Sequence, residues 1–393
     1  MRNLLIIVIF ILGCKSKSEV KQPAVVEKVF QYSVSVASDW DQVFVRNTGW
    51  FGGDGIFCLS LDGREIYSSD AEILIWFSDS MFGDIINGKL SSGFSMINNS
   101  VAILKGVRPG FSAFDFYSGR QIINKPKALF IPNTPDTKKG EYYWLGDGFS
   151  NQAKNNDIYL FGYRIKNTGK EAFGFMETGN NLIVIPSGSN PPFENQRQLD
   201  IPFFRGLKVD EAANFGVGVL VNTKAAGVNN GDGYIYIYGI RGQNKEVIVA
   251  RVFPEEIEDF NKWVFWDGEK FSSDPFSLKP IASDASNELS VSSLSDGRYI
   301  LVSQKGLNGK IYFQIGDSPV GPFKEAIDIY DPAPLYQSNP NLFTYNAKAH
   351  PVLSPEGELI ISYNVNSFKF LDDIKAEPHL YRPRFIRLKY QIY

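Results

Sequence analysis

Histidine and cysteine are scarce in this 393-residue chain, with two of each. The histidines are His350 and His379, and the cysteines are Cys14 and Cys58. With Cys14 in a leader-like segment, Cys58 has no thiol to pair with, so an intrachain disulfide is excluded. Two histidines and one thiol also fall short of an ordinary structural zinc site. Cys58, within IFCLSL, reads as a small buried hydrophobe. Charge of either sign is not in excess: the net charge is −3 and no long basic run occurs. Nucleic acid is therefore an unsuitable partner, because phosphate binding needs a clustered positive surface. Long hydrophobic runs are missing too. The one apolar run near the start, LLIIVIFILG, is too short for a membrane-spanning helix. Helical signals are few. The best is PEEIEDFNKW (254–263), read as one short helix with Glu255 and Glu256 in its first turn.

That apolar run follows Arg2 and ends in ILGC, which suits the core of a signal peptide. The ending resembles a bacterial lipobox, in which the chain is cut before the cysteine and the thiol is acylated. The polar stretch KSKSEVKQ after Cys14 then reads as a tether. The expected division is a signal peptide with its lipobox cysteine over 1–14, a flexible tether over 15–35 and one folded domain over 36–393. The anchor would be lipid rather than a helix. The implied location is the cell envelope, on a bacterial membrane and most simply the outer one.

Aromatic residues are abundant. Their 31 Phe and 19 Tyr favour strands over helices. A strand signal recurs along the chain: LDGREIY (61–67) leading to EILIWFSD (72–79), NDIYLFGYRI (156–165), GDGYIYIYGIR (231–241), SDGRYILVSQKG (295–306) and PEGELIISYNVN (355–366). Each places a turn residue before a run of Tyr, Ile, Leu and Val. The last four turns, at Asp157, Asp232, Asp296 and Glu356, lie roughly 60 to 75 residues apart, a period that suits propeller blades. Five signals predict an all-β fold, a five-bladed β-propeller. A two-sheet sandwich would normally be shorter, with tighter strand spacing.

Several segments occur in an order that resembles a known group: GDG and WFSDS early, YYWLGDG (142–148), DGYIYIYGIR with VIVARV and WDG (232–268), NELSVSSLSDGRYILVSQ (287–304), GDSPVGPF (316–323) and YNAKAHPVLSPEGELIISYNVN (345–366). They resemble a five-bladed propeller family of bacterial secreted proteins long labelled a domain of unknown function, some of whose members are endo-D-arabinanases. More distantly the pattern is similar to the arabinanase, xylosidase and levansucrase propellers. The resemblance covers roughly residues 38–392. The family's Gly-Asp-Thr after the first long strand is here Ser78-Asp79-Ser80, and KAAGVNNGDG (224–233) offers no charged group to the cleft. The resemblance implies a glycoside hydrolase of an arabinan-like or related glycan, here joined to the lipid anchor read from the N-terminus. It calls for no cofactor, leaves room for a calcium ion on the axis and fits a monomer. A glycan-binding propeller without chemistry is the main alternative, and a scaffold that uses its outer face is a third.

Glycoside cleavage needs two carboxyl groups about the scissile bond. Asp54 lies between Gly53 and Gly55, and the next turn, Asp62-Gly63, already supplies the hairpin. Asp79 ends ILIWFSD, where an unpartnered carboxylate is costly to bury. These two are the expected catalytic carboxylates. Glu288, before a strand, is the expected third acid and proton donor. Trp144 and Asp147 form a candidate sugar subsite, although a turn with core aromatics reads equally well. Asn346, with Tyr345, and His350 are expected at the same mouth. Arg251 reads as a structural ion-pair partner. Arg382 and Arg384, in a tail expected to return a strand to the first blade, read as solvated.

Overall fold

The computed structural model describes residues 29–110, 113–122, 125–169, 173–205 and 212–393. Cys14 and most of the expected tether lie outside them. The described fold is all-β. Its frame is five antiparallel meander sheets. The first runs Phe57–Ser60, Glu72–Phe77, Ser100–Lys105, Phe114–Tyr117. The second runs Tyr142–Asn151, Asp157–Asn167, Phe175–Ile185, Arg197–Asp200. The third begins at Ala213–Asn222 and continues through Tyr234–Arg241 and Glu246–Val252 to two short edge strands. The fourth spans Ser290–Ser293 to Ile327–Tyr330. The fifth joins Leu342–Ala349, Glu358–Ser367 and Arg384–Ile392 to the N-terminal strand Phe30–Val36.

The recurring sequence signal has one structural meaning. Each copy is the turn into the second strand of a sheet, the strand flanked on both sides and therefore richest in Ile, Val, Leu and Tyr. Between neighbouring sheets lies one apolar core. Phe57, Leu74 and Trp76 of the first sheet meet Tyr143 and Leu160 of the second. Phe161 and Leu182 of the second meet Phe215 and Ile237 of the third. Tyr238 and Val249 meet Val291 and Leu301 of the fourth, and Val302 and Phe313 meet Ile361 and Ile386 of the fifth. The fifth core closes on the first sheet: Ile360 and Phe385 pack with Ile73, Ile75 and Phe77. A smaller sheet, Thr48–Gly53 with Ser80–Ile86 and Ser95–Ile97, stands beside the first.

Four expectations change. Phe30–Val36, whose first six residues fall in the expected tether, is a strand paired along its length with Arg384–Ile392. The C-terminal strand therefore completes the fifth sheet with the N-terminal strand and does not return to the first. Arg382 and Arg384 are not solvated: the Arg382 guanidinium lies 3.8 Å from Asp41, and Arg384 donates to the Arg382 carbonyl at 2.7 Å. Burial lowers the pKa of Arg384 to about 10. PEEIEDFNKW forms two 3-10 turns, Pro254–Glu256 and Phe260–Lys262, because Trp263 is pulled into the core and donates to the Ile257 carbonyl.

Candidate active site

The innermost strands of the second, third and fifth sheets each break register once, between Leu145 and Gly148, Phe215 and Gly218, and Tyr345 and Lys348. A bulge re-aims the side chains around it. In the fifth sheet the bulge residue Asn346 takes a left-handed φ of 59°. Asn346 and Lys348 then both reach Glu288. Asn346 Nδ2 donates to Oε1 at 2.9 Å, and the buried Lys348 ammonium bonds Oε2. Lys348 also lies 4.2 Å from the Phe57 ring centroid, on the first sheet.

Asp54 and Asp79 come together beside this group. Their segments are tied backbone to backbone: Asp54 N–H donates to the Asp79 carbonyl at 3.1 Å, and Ser78 N–H to the Asp54 carbonyl at 2.8 Å. The Tyr345 hydroxyl donates to Asp54 Oδ2 at 2.5 Å, whereas Asp54 Oδ1 is buried without a hydrogen-bond partner. Asp79 Oδ1 accepts from Trp144 Nε1 at 3.0 Å and from Asn98 Nδ2 at 3.2 Å. Burial raises both carboxyls above the ordinary range. The Asp54 charge raises Asp79 further, and the Glu288 charge raises Asp54. The Tyr345 hydroxyl pulls Asp54 the other way, as do the Trp144 and Asn98 donors on Asp79. Because the Asp54 charge acts on Asp79, the two titrate as one system.

The other expected residues are placed differently. Both Glu288 oxygens accept hydrogen bonds, one from an ammonium that has only donors to offer. Glu288 is therefore held by two donors, Asn346 and Lys348, close to Asp54. Asn346 holds Glu288, so its expected contact with substrate gives way to that bond. Trp144 and Asp147 share a strand but separate across the bulge. Trp144 serves Asp79, while Asp147 turns to the axis, where its oxygens accept from Gly148 N–H at 2.8 Å and Val219 N–H at 2.7 Å. Burial first, and the Glu288 charge last, raise Asp147 to about 7. His350 does not face the mouth. It is buried, its Nδ1 sits 3.3 Å from Cys58 Sγ and its Nε2 2.7 Å from Ser362 Oγ, so both ring nitrogens are taken. Burial lowers its pKa to about 3. Asp147, His350, Cys58, Glu65 and Lys348 border a cavity of about 40 Å³ where the innermost strands converge, room for one or two waters. Among the described residues no cluster of His, Cys, Asp or Glu is arranged to hold a metal ion. Arg251 has the expected structural role, 3.8 Å from Asp232 and between the Tyr234 and Phe271 rings.

Sequence reasoning missed Lys348 and Asn98. Lys348 was the more accessible of the two, since NAKAH sets it two residues beyond Asn346, but a lysine in a short polar run reads as solvated.

An all-β scaffold of consecutive meanders with a half-buried carboxyl pair at one end defines the class. The chain belongs to the family described as a domain of unknown function, DUF5005, which matches residues 37–390. Among solved structures, a protein of Bacteroides ovatus assigned as a hydrolase is 18% identical. The match covers 95% of this chain and 97% of that one, with a TM-score of 0.69, which shows a shared fold. An α-L-arabinofuranosidase of Clostridium thermocellum is 14% identical over 79% of this chain and 82% of its own, with a TM-score of 0.44. An endo-arabinase of Bacteroides thetaiotaomicron is 12% identical over 82% and 90%, with a TM-score of 0.40. No curated protein matches the sequence.

Proposed function

We propose that the five meander sheets are the blades of a five-bladed propeller and that the protein is a glycoside hydrolase acting on an arabinan-like glycan at Asp54 and Asp79. The observation that carries the reading is the carboxyl pair itself: tied through the backbone, raised above the ordinary range, and held by aromatic donors at one end of the innermost strands. A pair holding one proton has both groups that hydrolysis needs. The protonated member gives its proton to the leaving glycosidic oxygen as the bond to the anomeric carbon breaks. The ionised member takes a proton from the water whose oxygen bonds that carbon. The pair then again holds one proton. Glu288, held by Lys348 and Asn346, raises Asp54 through its charge.

The test is release of reducing ends from arabinan, galactan and xylan. Asp54→Asn and Asp79→Asn should each lower the rate by about a hundred-fold or more. Turnover that survives both substitutions sinks the assignment. One observation favours the second reading, a glycan-binding protein without chemistry: the third acid is committed to an ion pair. Binding without release by the wild type would establish it.

The same reading includes a lipid anchor at Cys14, supported by the apolar run and ILGC in the sequence. Labelled palmitate should enter the chain in its bacterial host and fail to enter Cys14→Ser. Equal labelling of both would remove the anchor.

A further inference from the structure

The two aspartates are the ends of an arc of aromatic side chains. Trp144, which donates to Asp79, meets Phe175 edge-on with ring centroids 4.6 Å apart. Phe175 is followed by Phe173 at 6.4 Å. Phe173 touches Phe343 at 6.1 Å and Phe368 at 6.0 Å, and Phe343 lies 5.5 Å from Tyr345, which donates to Asp54. With the backbone bond between Asp54 and Asp79, the chain of contacts closes on itself.

The arc joins elements that are not neighbours in the sheet order. Phe173 sits between the second and third strands of the second sheet, Asp157–Asn167 and Phe175–Ile185. Phe343 opens the first strand of the fifth sheet, and Phe368 follows its second strand, Glu358–Ser367. The first sheet lies between these two, and Asp54 precedes its first strand. Phe173 therefore reaches from the second sheet to the fifth, on the side where the first sheet brings its acids. The bridging rings are not wholly consumed in packing, since Phe173 is 53% and Phe368 51% exposed. Half-exposed rings at the edge of a polar site offer apolar faces for the C–H face of a sugar.

We propose that this phenylalanine bridge ends the binding cleft, so that the site takes the end of a glycan chain rather than its middle, with the terminal sugar against Phe173 and Phe368. The inference rests on the glycan-hydrolase reading. A glycan end seated at the carboxyl pair meets the bridge through Trp144 and Tyr345, which join the two acids to Phe175 and Phe343.

The test uses arabino-oligosaccharides of graded length, with free ends or with both ends blocked by bulky groups. Binding to the full chain is followed by tryptophan fluorescence, and products are sized by mass spectrometry. The wild type should bind free-ended chains and shed terminal units, and should neither bind nor cleave blocked ones. Phe173→Ala, and Phe173→Ala with Phe368→Ala, should raise the ratio of internal to terminal cleavage about ten-fold. These half-exposed positions tolerate truncation, which circular dichroism checks. The bridge proposal is overturned if the wild type cuts blocked and free chains alike, or if the ratio stays unchanged in both variants. Binding of free-ended chains alone, without cleavage, keeps the bridge and removes the hydrolase reading. No binding of either probe removes both.

Discussion

Lys348 carries more of the site than any single residue outside the aspartates. Its side chain is 1% exposed, and its ammonium bonds Glu288 and rests on the Phe57 ring, so it ties the fourth and fifth sheets to the first. A buried pair returns little net stability when compared with apolar residues, but breaking it strands a charge. Lys348→Met should therefore cost about 3 to 5 kcal/mol in denaturant unfolding. Adding Glu288→Gln should recover a substantial part of that loss, because the orphaned charge is removed. A single substitution that costs less than about 1 kcal/mol would show that the pair does not bind the sheets together. Asp54 and Asp79 were legible as candidates because each breaks an apolar or glycine-rich run where a carboxylate needs a reason. His350 misled. A lone histidine in the sequence does not reveal that Cys58, nearly three hundred residues earlier, faces one of its nitrogens.

At the scale of elements, the sequence marks the second strand of every sheet, because a strand paired on both sides and packed on both faces has to be continuously apolar or aromatic. The bulges were not legible. The alternation of a strand would put Asn346 and Lys348 on one face, with Tyr345 on the other. That division holds, with Tyr345 reaching Asp54 while Asn346 and Lys348 reach Glu288, and the register shift between Tyr345 and Lys348 adds the left-handed backbone at Asn346. A register shift also lies between Trp144 and Asp147 in the second sheet, whose side chains go to Asp79 and to the Gly148 and Val219 N–H groups. Phe30–Val36 was missed for a different reason. FQYSVSV is mostly half-exposed or exposed, so its alternation carries no strong apolar face, and its identity as a strand comes from Arg384–Ile392 at the far end of the chain. Local composition cannot encode a partner that distant.

For the whole molecule, cores between successive sheets, with the fifth sheet packed on the first, turn five weak local signals into one convergent site. Membership of DUF5005 and the fold shared with the Bacteroides ovatus protein place the chain, and the carboxyl pair supplies the chemistry proposed for it. That chemistry has a pH signature. Both aspartates are raised by burial, and Asp79 further by the Asp54 charge. Below the first ionisation of the pair no carboxylate remains to activate water. Above the second no proton remains for the leaving oxygen. The most direct measurement is kcat/KM for reducing-end release against pH. The account predicts a bell with both limbs above about pH 4, the ordinary carboxylate value, lost in Asp54→Asn and Asp79→Asn. A profile with its acid limb at the ordinary value, or one unchanged by either substitution, would contradict it.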